Sequence, residues 1–280
     1  MRTIIQLLVG LSMYTFILTS LFGAGLGLTV KEIIEPLKNI RNVLLSLVSN
    51  FILIPFMAFV LCVLFKADQS LQAGLIVIAC CAGAPFLPKL ITLAKGGMAN
   101  AIGFMVLMMT ATVIFAPIIL PFAIPGLSVS PFAIARPLVL LMLLPLGIGL
   151  FVKAKISGFA DRTKPIMMKV SSISLISMGI LTLLIDYKLI ISAYGTGVYN
   201  LSFLFTVFAL LIGYVFSGKD MTAKIVFTLG SGARNIAAAL LIAVANFTEP
   251  RVTTVVIIGS LVQFIVLFFV AFTSGKLQAS

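Results

Sequence analysis

The chain has no histidine, and its three cysteines, Cys62, Cys80 and Cys81, all fall in apolar surroundings. Without clustered imidazole, thiolate and carboxylate ligands, no catalytic metal site or other cofactor is expected, and no disulfide framework is indicated. Charge is scarce as well: 9% of residues are charged, where a water-soluble domain carries about a quarter. Acidic residues are the scarcest of these. All seven (Glu32, Glu35, Asp68, Asp161, Asp186, Asp220 and Glu249) lie in connections or at helix ends. A membrane-embedded enzyme therefore lacks its parts, having no histidine, no intramembrane acid and no nucleophile with an adjacent base.

What fills the chain is apolar: 61% of its 280 residues are hydrophobic. That reads as an all-α, polytopic membrane protein, one membrane domain over residues 1–280 with membrane lipid as its surroundings. The net charge of +12 does not point to nucleic acid. Its basic residues stand singly in short connections, with no clustered patch or aromatic platform. The opening MRTIIQLLVG has the form of a leader. Its apolar run continues to Val30 without a small-residue cleavage site, so it reads as a retained helix.

A spanning helix needs about 20 mostly apolar residues. Nine windows meet this: 4–29, 42–65, 71–94, 98–124, 134–153, 166–187, 199–217, 221–246 and 251–275. Pro117 and Pro121 are possible division points in the fourth. The connections are KEIIEPLKNIR, FKADQS, AKGG, PGLSVSP, KAKISGFADRTKP, DYKLIISAYGTG, SGKD and FTEPR. One side carries twelve basic residues: Lys31, Lys38, Arg41, Lys95, Lys153, Lys155, Arg162, Lys164, Lys169, Lys219, Lys224 and Lys276. The other carries five: Arg2, Lys66, Arg136, Lys188 and Arg251. The positive-inside rule then places the C-terminus in the cytoplasm and the N-terminus outside, in a plasma (bacterial inner) membrane.

Two windows are interrupted. CCAGAPFLPKL (80–90) and LGSGARNIAAAL (229–240) each put glycine, and the first also proline, in mid-window. Pro85 and Pro88 lack a backbone donor, and Gly83, Gly230 and Gly232 allow unusual backbone conformations. Each broken window precedes a long final helix, and Gly83-Ala84-Pro85 echoes Gly232-Ala233-Arg234. The two windows enter from opposite sides, as an inverted repeat requires. Repeat 1 would cover about 1–124 with four helices, and repeat 2 about 134–275 with five.

Lys89 and Arg234 are the basic residues well inside a window. A charge at that depth costs about 2.5–3.5 kcal/mol on insertion scales. With no carboxylate nearby in sequence, both must face water, backbone carbonyls or an anion. A broken helix also exposes a half-helix N-terminus of partial positive charge, tolerable at depth where it lines a cavity. The breaks thus read as an electropositive substrate site built from Lys89, Arg234, Gly83, Pro85, Pro88 and Gly232. Asn235, next to Arg234, is placed to bond a ligand or cap the half-helix. Asn50 (in SNFILIP), Ser231, Thr228, Asn100 and Gln263 are candidate lining groups, though such residues more often bond between helices. The methionine-rich FMVLMMT at 104–110 reads as packing.

These strings resemble the bile acid:sodium symporter family: FGAGLGLTVKE at 22–32, SNFILIP at 49–55, CCAGAP, LAKGG at 93–97, and GSGARNIAAAL at 230–240. The resemblance implies a ten-helix inverted repeat, of which nine-helix members lack the first helix. It also implies a core domain with two crossing broken helices, a panel domain that moves against it, and transport by alternating access. Sodium-coupled members carry Ser-Asn in the first broken helix, hydroxyl residues early in the next, and Glu and Gln in the second broken helix. Here Leu87 and Pro88, Ala101 and Met105, and Gly230 and Arg234 stand in those places; Asn235 keeps the family's Asn, and Asn50 stands where an amide contributes to a sodium site. At about 5 Å and an effective dielectric of about 20, a fixed positive charge repels Na⁺ by roughly 3 kcal/mol, over a hundredfold in affinity. Ordinary sodium coupling is therefore not expected. Lys89 and Arg234 would stand in for bound cations and draw a small organic anion, in uniport, exchange or proton-coupled transport. Two other readings remain: an arsenite-type efflux permease, for which Cys80-Cys81 is the chemical hook, and a non-transporting sensor.

Overall fold

The computed structural model describes residues 2–124, 130–218 and 220–277, and these are helical with no strand among them. Helix α1 covers Arg2–Leu26, and a short α2 covers Val30–Leu37. Helix α3 runs Ile40–Leu64 through a π-turn at Ser49–Leu53. The first broken stretch is α4 (Gln69–Cys80) and α5 (Leu87–Leu93), followed by α6 (Met98–Ala123). Helix α7 covers Pro131–Lys155, α8 Ser157–Ser192 and α9 Val198–Phe216. The second broken stretch is α10 (Met221–Gly232) and α11 (Ile236–Asn246), and α12 (Pro250–Leu277) ends the described chain.

Among the described residues, eight stretches are long and apolar enough to cross a membrane, with α10 and α11 counted as one; α4 is a shorter apolar helix of 12 residues. Large apolar side chains such as Leu7, Phe122, Ile265 and Phe269 are mostly exposed, which suits a surface facing acyl chains rather than water. The chain is an integral, polytopic membrane protein.

Each of the nine apolar windows coincides with helix, but two expected boundaries differ. The stretch KAKISGFADRTKP is not a loop: α7 ends at Lys155 and α8 begins at Ser157. Helix α8 is 36 residues, about 54 Å, against a hydrocarbon core of about 30 Å. Its first turns are polar and keep helical form, with Pro165 inside the helix and Lys153 paired to Asp161 at 2.6 Å. The stretch KEIIEPLKNIR likewise contains α2. Residues 125–129 of the PGLSVSP connection, Lys219, and the side chains of Arg2 and Asp186 lie outside the described residues.

The chain divides into two compact units. One comprises Met1–Lys31 and Arg136–Tyr194. In it α1 packs along α8 and along residues 144–155 of α7. The α1–α7 crossing is backbone on backbone: a Cβ on Gly25 would strike Leu146 O, and one on Gly149 would strike Phe22 O. Small residues allow that approach where no hydrophobic force drives helices together.

The other unit comprises Glu32–Ala135 and Gly195–Ser280 and holds both broken stretches. Within it α4 packs against α3 and α12, and α9 against α10 and α12. The α10–α11 stretch is the most enclosed of the spans, with 83% of its apolar window buried against 11% for α8. The breaks therefore lie in this unit's interior.

Candidate functional site

The two broken stretches share a build. Each opens on an aspartate cap, Asp68 accepting from Leu71 N–H and Asp220 from Ala223 N–H. Each then runs 12 residues before stopping. In the first, the helix stops because the backbone turns at Gly83 with φ +80°, a conformation that side chains resist. A Cβ there would also strike the main chain of Met109. Pro85 follows in the turn, and Pro88 sits in the first turn of α5, where a missing N–H costs nothing. Pro88 thus starts the second half-helix rather than breaking the first. The buried peptide of Ala82, left without helical partners, is served by one side chain: its N–H donates to Thr112 Oγ1 at 2.9 Å, and that hydroxyl donates to its C=O at 3.0 Å.

In the second break the freed groups are taken up by the first break and by α12. Arg234 N–H donates to Gln263 Oε1 at 3.2 Å, and Gln263 Nε2 donates to Arg234 O at 3.3 Å. Asn235 N–H donates to Cys81 O at 2.8 Å. The Asn235 side chain caps α11, accepting from Ala238 N–H, and donates from Nδ2 to Gly83 O at 3.0 Å. In an unbroken helix Asn235 N–H would serve Ser231 O, so its diversion to Cys81 leaves that carbonyl free.

A third irregularity supplies the remaining groups. At the π-turn of α3, Ile54 N–H bonds Ser49 O, one residue further back than in an α-helix. The donor next in line for Asn50 O is residue 55, which is proline and has none. Asn50 O is thereby freed, and its wholly buried side chain donates to Ser46 O (3.0 Å), Ser49 Oγ (3.2 Å) and Ser231 Oγ (3.1 Å).

Into this gap in three backbone ladders goes the side chain of Arg234, 0% exposed. Nη1 donates to Asn50 Oδ1 (2.7 Å) and Ser231 O (3.1 Å), and Nη2 to Ala79 O (2.5 Å) and Asn50 O (3.4 Å). Ala79 and Ser231 end the half-helices α4 and α10, where orphan carbonyls and the negative dipole end favour a cation. The four Nη hydrogens are spent. Nε–H has no partner, and Arg234 has no ion pair, among the described residues. The unit holds a positive charge compensated by dipoles rather than by a carboxylate.

The structure therefore brings together Asn50, Gly83, Ser231, Arg234, Asn235 and Gln263. Every bond given above that links the two breaks is made by Arg234 or Asn235. Lys89 lies in α5 and is partly exposed. Gly230 and Gly232 are ordinary helical residues of α10, present for close packing rather than for backbone freedom: Cβ atoms there would come within 2.5 Å of Phe104 and 2.6 Å of Leu210. Thr228 bonds its own helix at Lys224 O. Cys80 and Cys81 are fully buried, and Cys81 contributes its carbonyl. Met105, Met108 and Met109 are buried, Met109 against Gly83. The sequence reading missed Thr112, whose signal was a hydroxyl midway along a mostly apolar helix. It also missed the carbonyls of Ala79 and Cys81, for which residue type gives no signal. Among the described residues no three His, Cys, Asp or Glu side chains cluster to hold a metal. An apolar groove of about 550 Å³, lined by Phe203, Val207, Leu210, Tyr214, Ile265 and Phe269 among others, offers no charged group to an anion.

Comparison with known proteins gives the chain's family. The sodium bile acid symporter family matches residues 14–193. A rice protein described as a probable sodium/metabolite cotransporter BASS2, chloroplastic, is 25% identical over 267 residues, covering 86% of this chain and 60% of its own length. The uncharacterized sodium-dependent transporter YocS of Bacillus subtilis is 27% identical over 138 residues, 48% of this chain and 42% of its own. A probable sodium/metabolite cotransporter BASS5, chloroplastic, of Arabidopsis thaliana is 21% identical over 245 residues, covering 83% and 60%. The chain spans 60% or less of the length of these relatives.

Proposed function

The chain belongs to the sodium bile acid symporter family, and on that premise we propose that it is a carrier, not an enzyme, which moves a small organic anion across the membrane by alternating access without drawing sodium from solution. The observation that carries this is the fully buried guanidinium of Arg234, with no ion pair among the described residues, where the two broken helices meet. A fixed charge of that kind raises the local potential, attracting an anion and repelling a free cation in a medium of low dielectric. With its Nη donors spent and its side chain wholly buried, Arg234 acts on the cargo through its field. Lys89, partly exposed on α5, is the second cation of the site and the one that meets substrate directly. Asn50, Ser231, Asn235 and Gln263 hold the arginine, while Gly83, Pro85, Pro88 and Gly232 shape the breaks around it.

The names of the relatives speak of sodium dependence. In this chain the centre already contains a positive charge that cannot leave. The matching aspartate caps and the equal first half-helices of the broken stretches support the inverted repeat, with the N-terminus outside and the C-terminus in the cytoplasm as the basic residues distribute. A thermal-shift screen of the purified protein against small organic anions, in sodium and in N-methyl-D-glucamine chloride, tests the reading. Stabilisation by an anion in both salts, lost in Arg234→Gln and weakened in Lys89→Gln, supports it. Stabilisation that appears only with sodium, or survives Arg234→Gln, counts against it.

A further inference from the structure

Helices α9, α10 and α12 leave between them the apolar groove of about 550 Å³. Leu210 forms its buried floor, and Phe203, Leu211, Ile265 and Phe269 stand exposed along its rims. The Thr228 hydroxyl in its wall turns back to Lys224 O, so apart from Tyr214 the lining offers hydrocarbon. From Phe203 to Tyr214 along α9 the groove runs roughly 16 Å, close to one leaflet of a hydrocarbon core about 30 Å thick. Charge stands just beyond one end of it. Lys224 Nζ lies 3.9 Å from the ring centre of Tyr214, the last residue of α9 to line the groove. Lys276 is two turns beyond Phe269 on the same face of α12, with Nζ 4.5 Å from the ring centre of Phe272. The segment that carries Lys95 closes the same end. A Cβ on Gly96 would meet Ile225 of α10, and one on Gly275 of α12 would meet Leu93 O. None of the three lysines has an ion pair among the described residues. Asp220, the cap of α10, is engaged by Thr222 and Ala223 N–H.

We propose that this groove binds an anionic glycerophospholipid of the surrounding membrane, with one acyl chain lying along α9, α10 and α12 and the phosphate held at Lys224 and Lys276, Lys95 adding to the field. The division of labour follows from the solvent. An apolar groove gains no hydrophobic energy over bulk lipid, because acyl tails are as apolar as its walls. It fixes where a chain lies, and the lysines decide which lipid that chain belongs to. Basic pockets between spanning helices select anionic headgroups. A zwitterionic headgroup brings its own ammonium, which the three lysines oppose. The rings beneath Lys224 and Lys276 hold each cation at the end of the groove, and an ammonium has three donors, more than one ring face engages. The lipid braces α10, the first half of the second broken stretch, against α9 and α12. Leu210 on the groove floor is also the side chain against which Gly232 packs. The inference rests on the groove and the lysines, and on neither the identity of the cargo nor sodium.

The test uses the purified chain in a neutral detergent, without cargo. Thermal unfolding is followed as phosphatidylglycerol, or phosphatidylcholine with the same acyl chains, is titrated in at constant ionic strength. Glycerol 3-phosphate serves as the headgroup without its chains. The wild type is expected to melt several degrees higher, saturably, with phosphatidylglycerol, and to gain little from the other two. Lys224→Gln together with Lys276→Gln is expected to lose most of that gain, and Lys224→Arg together with Lys276→Arg to keep it. Val207→Trp fills the groove without altering charge, and it is expected to lose the gain as well. If that variant does not fold, Ile265→Trp, at the exposed rim, takes its place. A wild type that gains no more from phosphatidylglycerol than from phosphatidylcholine overturns the inference. So does a gain that survives the double glutamine variant or the filled groove. An equal gain from glycerol 3-phosphate alone overturns it too, because it marks a phosphate site that needs no lipid chain.

Discussion

Asn235 and Cys81 are joined main chain to main chain, the N–H of one donating to the C=O of the other at 2.8 Å. One main-chain hydrogen bond thus joins the two breaks. It removes the donor that Ser231 O would have used, and that vacancy admits the arginine. The site's charge is a consequence of how two interrupted helices satisfy each other's backbones.

Gly83 is where the first helix is forced to stop. Its φ of +80° alone makes alanine unfavourable by about 1–3 kcal/mol, and the new methyl would meet the main chain of Met109, which cannot swing aside. Gly83→Ala is expected to lower the melting temperature in detergent markedly. Gly147→Ala, with nothing within 4 Å of its added Cβ, is expected to be neutral or stabilising by up to about 1 kcal/mol.

Thr112 serves both polar groups of the Ala82 peptide from a neighbouring helix. Thr112→Val keeps the shape and removes the hydroxyl, leaving a buried N–H and C=O unpaired at about 1–3 kcal/mol each. Thermal unfolding should show that loss, and Thr112→Ser should restore most of it.

Asn50 separates charge from architecture. Asn50→Ala removes one acceptor from Arg234 and is expected to destabilise the protein by about 1–3 kcal/mol. Asn50→Asp keeps an oxygen on Nη1 and adds a negative charge beside the guanidinium. Its ion pair should recover stability relative to Asn50→Ala, while any organic-anion response in the thermal-shift screen should disappear.

Asp220, exposed at the start of α10, has its carboxyl held below the usual carboxylate range by the Thr222 hydroxyl and then by Ala223 N–H. A depressed folded pKa means stability that is present above the ordinary value near 3.8 and is lost as pH falls through the lower folded one. In pH-dependent melting, Asp220→Ala should differ from wild type at neutral pH, and the difference should shrink below about pH 4.

The breaks were legible in the sequence because their chemistry is out of place: glycine and proline in mid-window, and an arginine where lipid-facing helices exclude charge. Asn235 and Asn50 were visible for the same reason. What residue types could not carry was the pairing across the fold. Nothing in Cys81 or Ala79 announces that its carbonyl will be used, and SNFILIP does not announce that a π-turn and Pro55 will free Asn50 O. Gly230 and Gly232 read as backbone devices but serve Phe104 and Leu210, since tight packing and unusual φ both select glycine. The polar stretch from Lys153 to Pro165 read as a loop because hydropathy sees composition, and a helix extending past the hydrocarbon is as polar as a loop.

The central claim is tested most directly by uptake of a radiolabelled small organic anion into proteoliposomes containing the purified protein. Sodium is replaced by N-methyl-D-glucamine at constant ionic strength. Saturable uptake, unchanged by the replacement and lost in Arg234→Gln, is the predicted result. Uptake that climbs steeply with sodium concentration would contradict it.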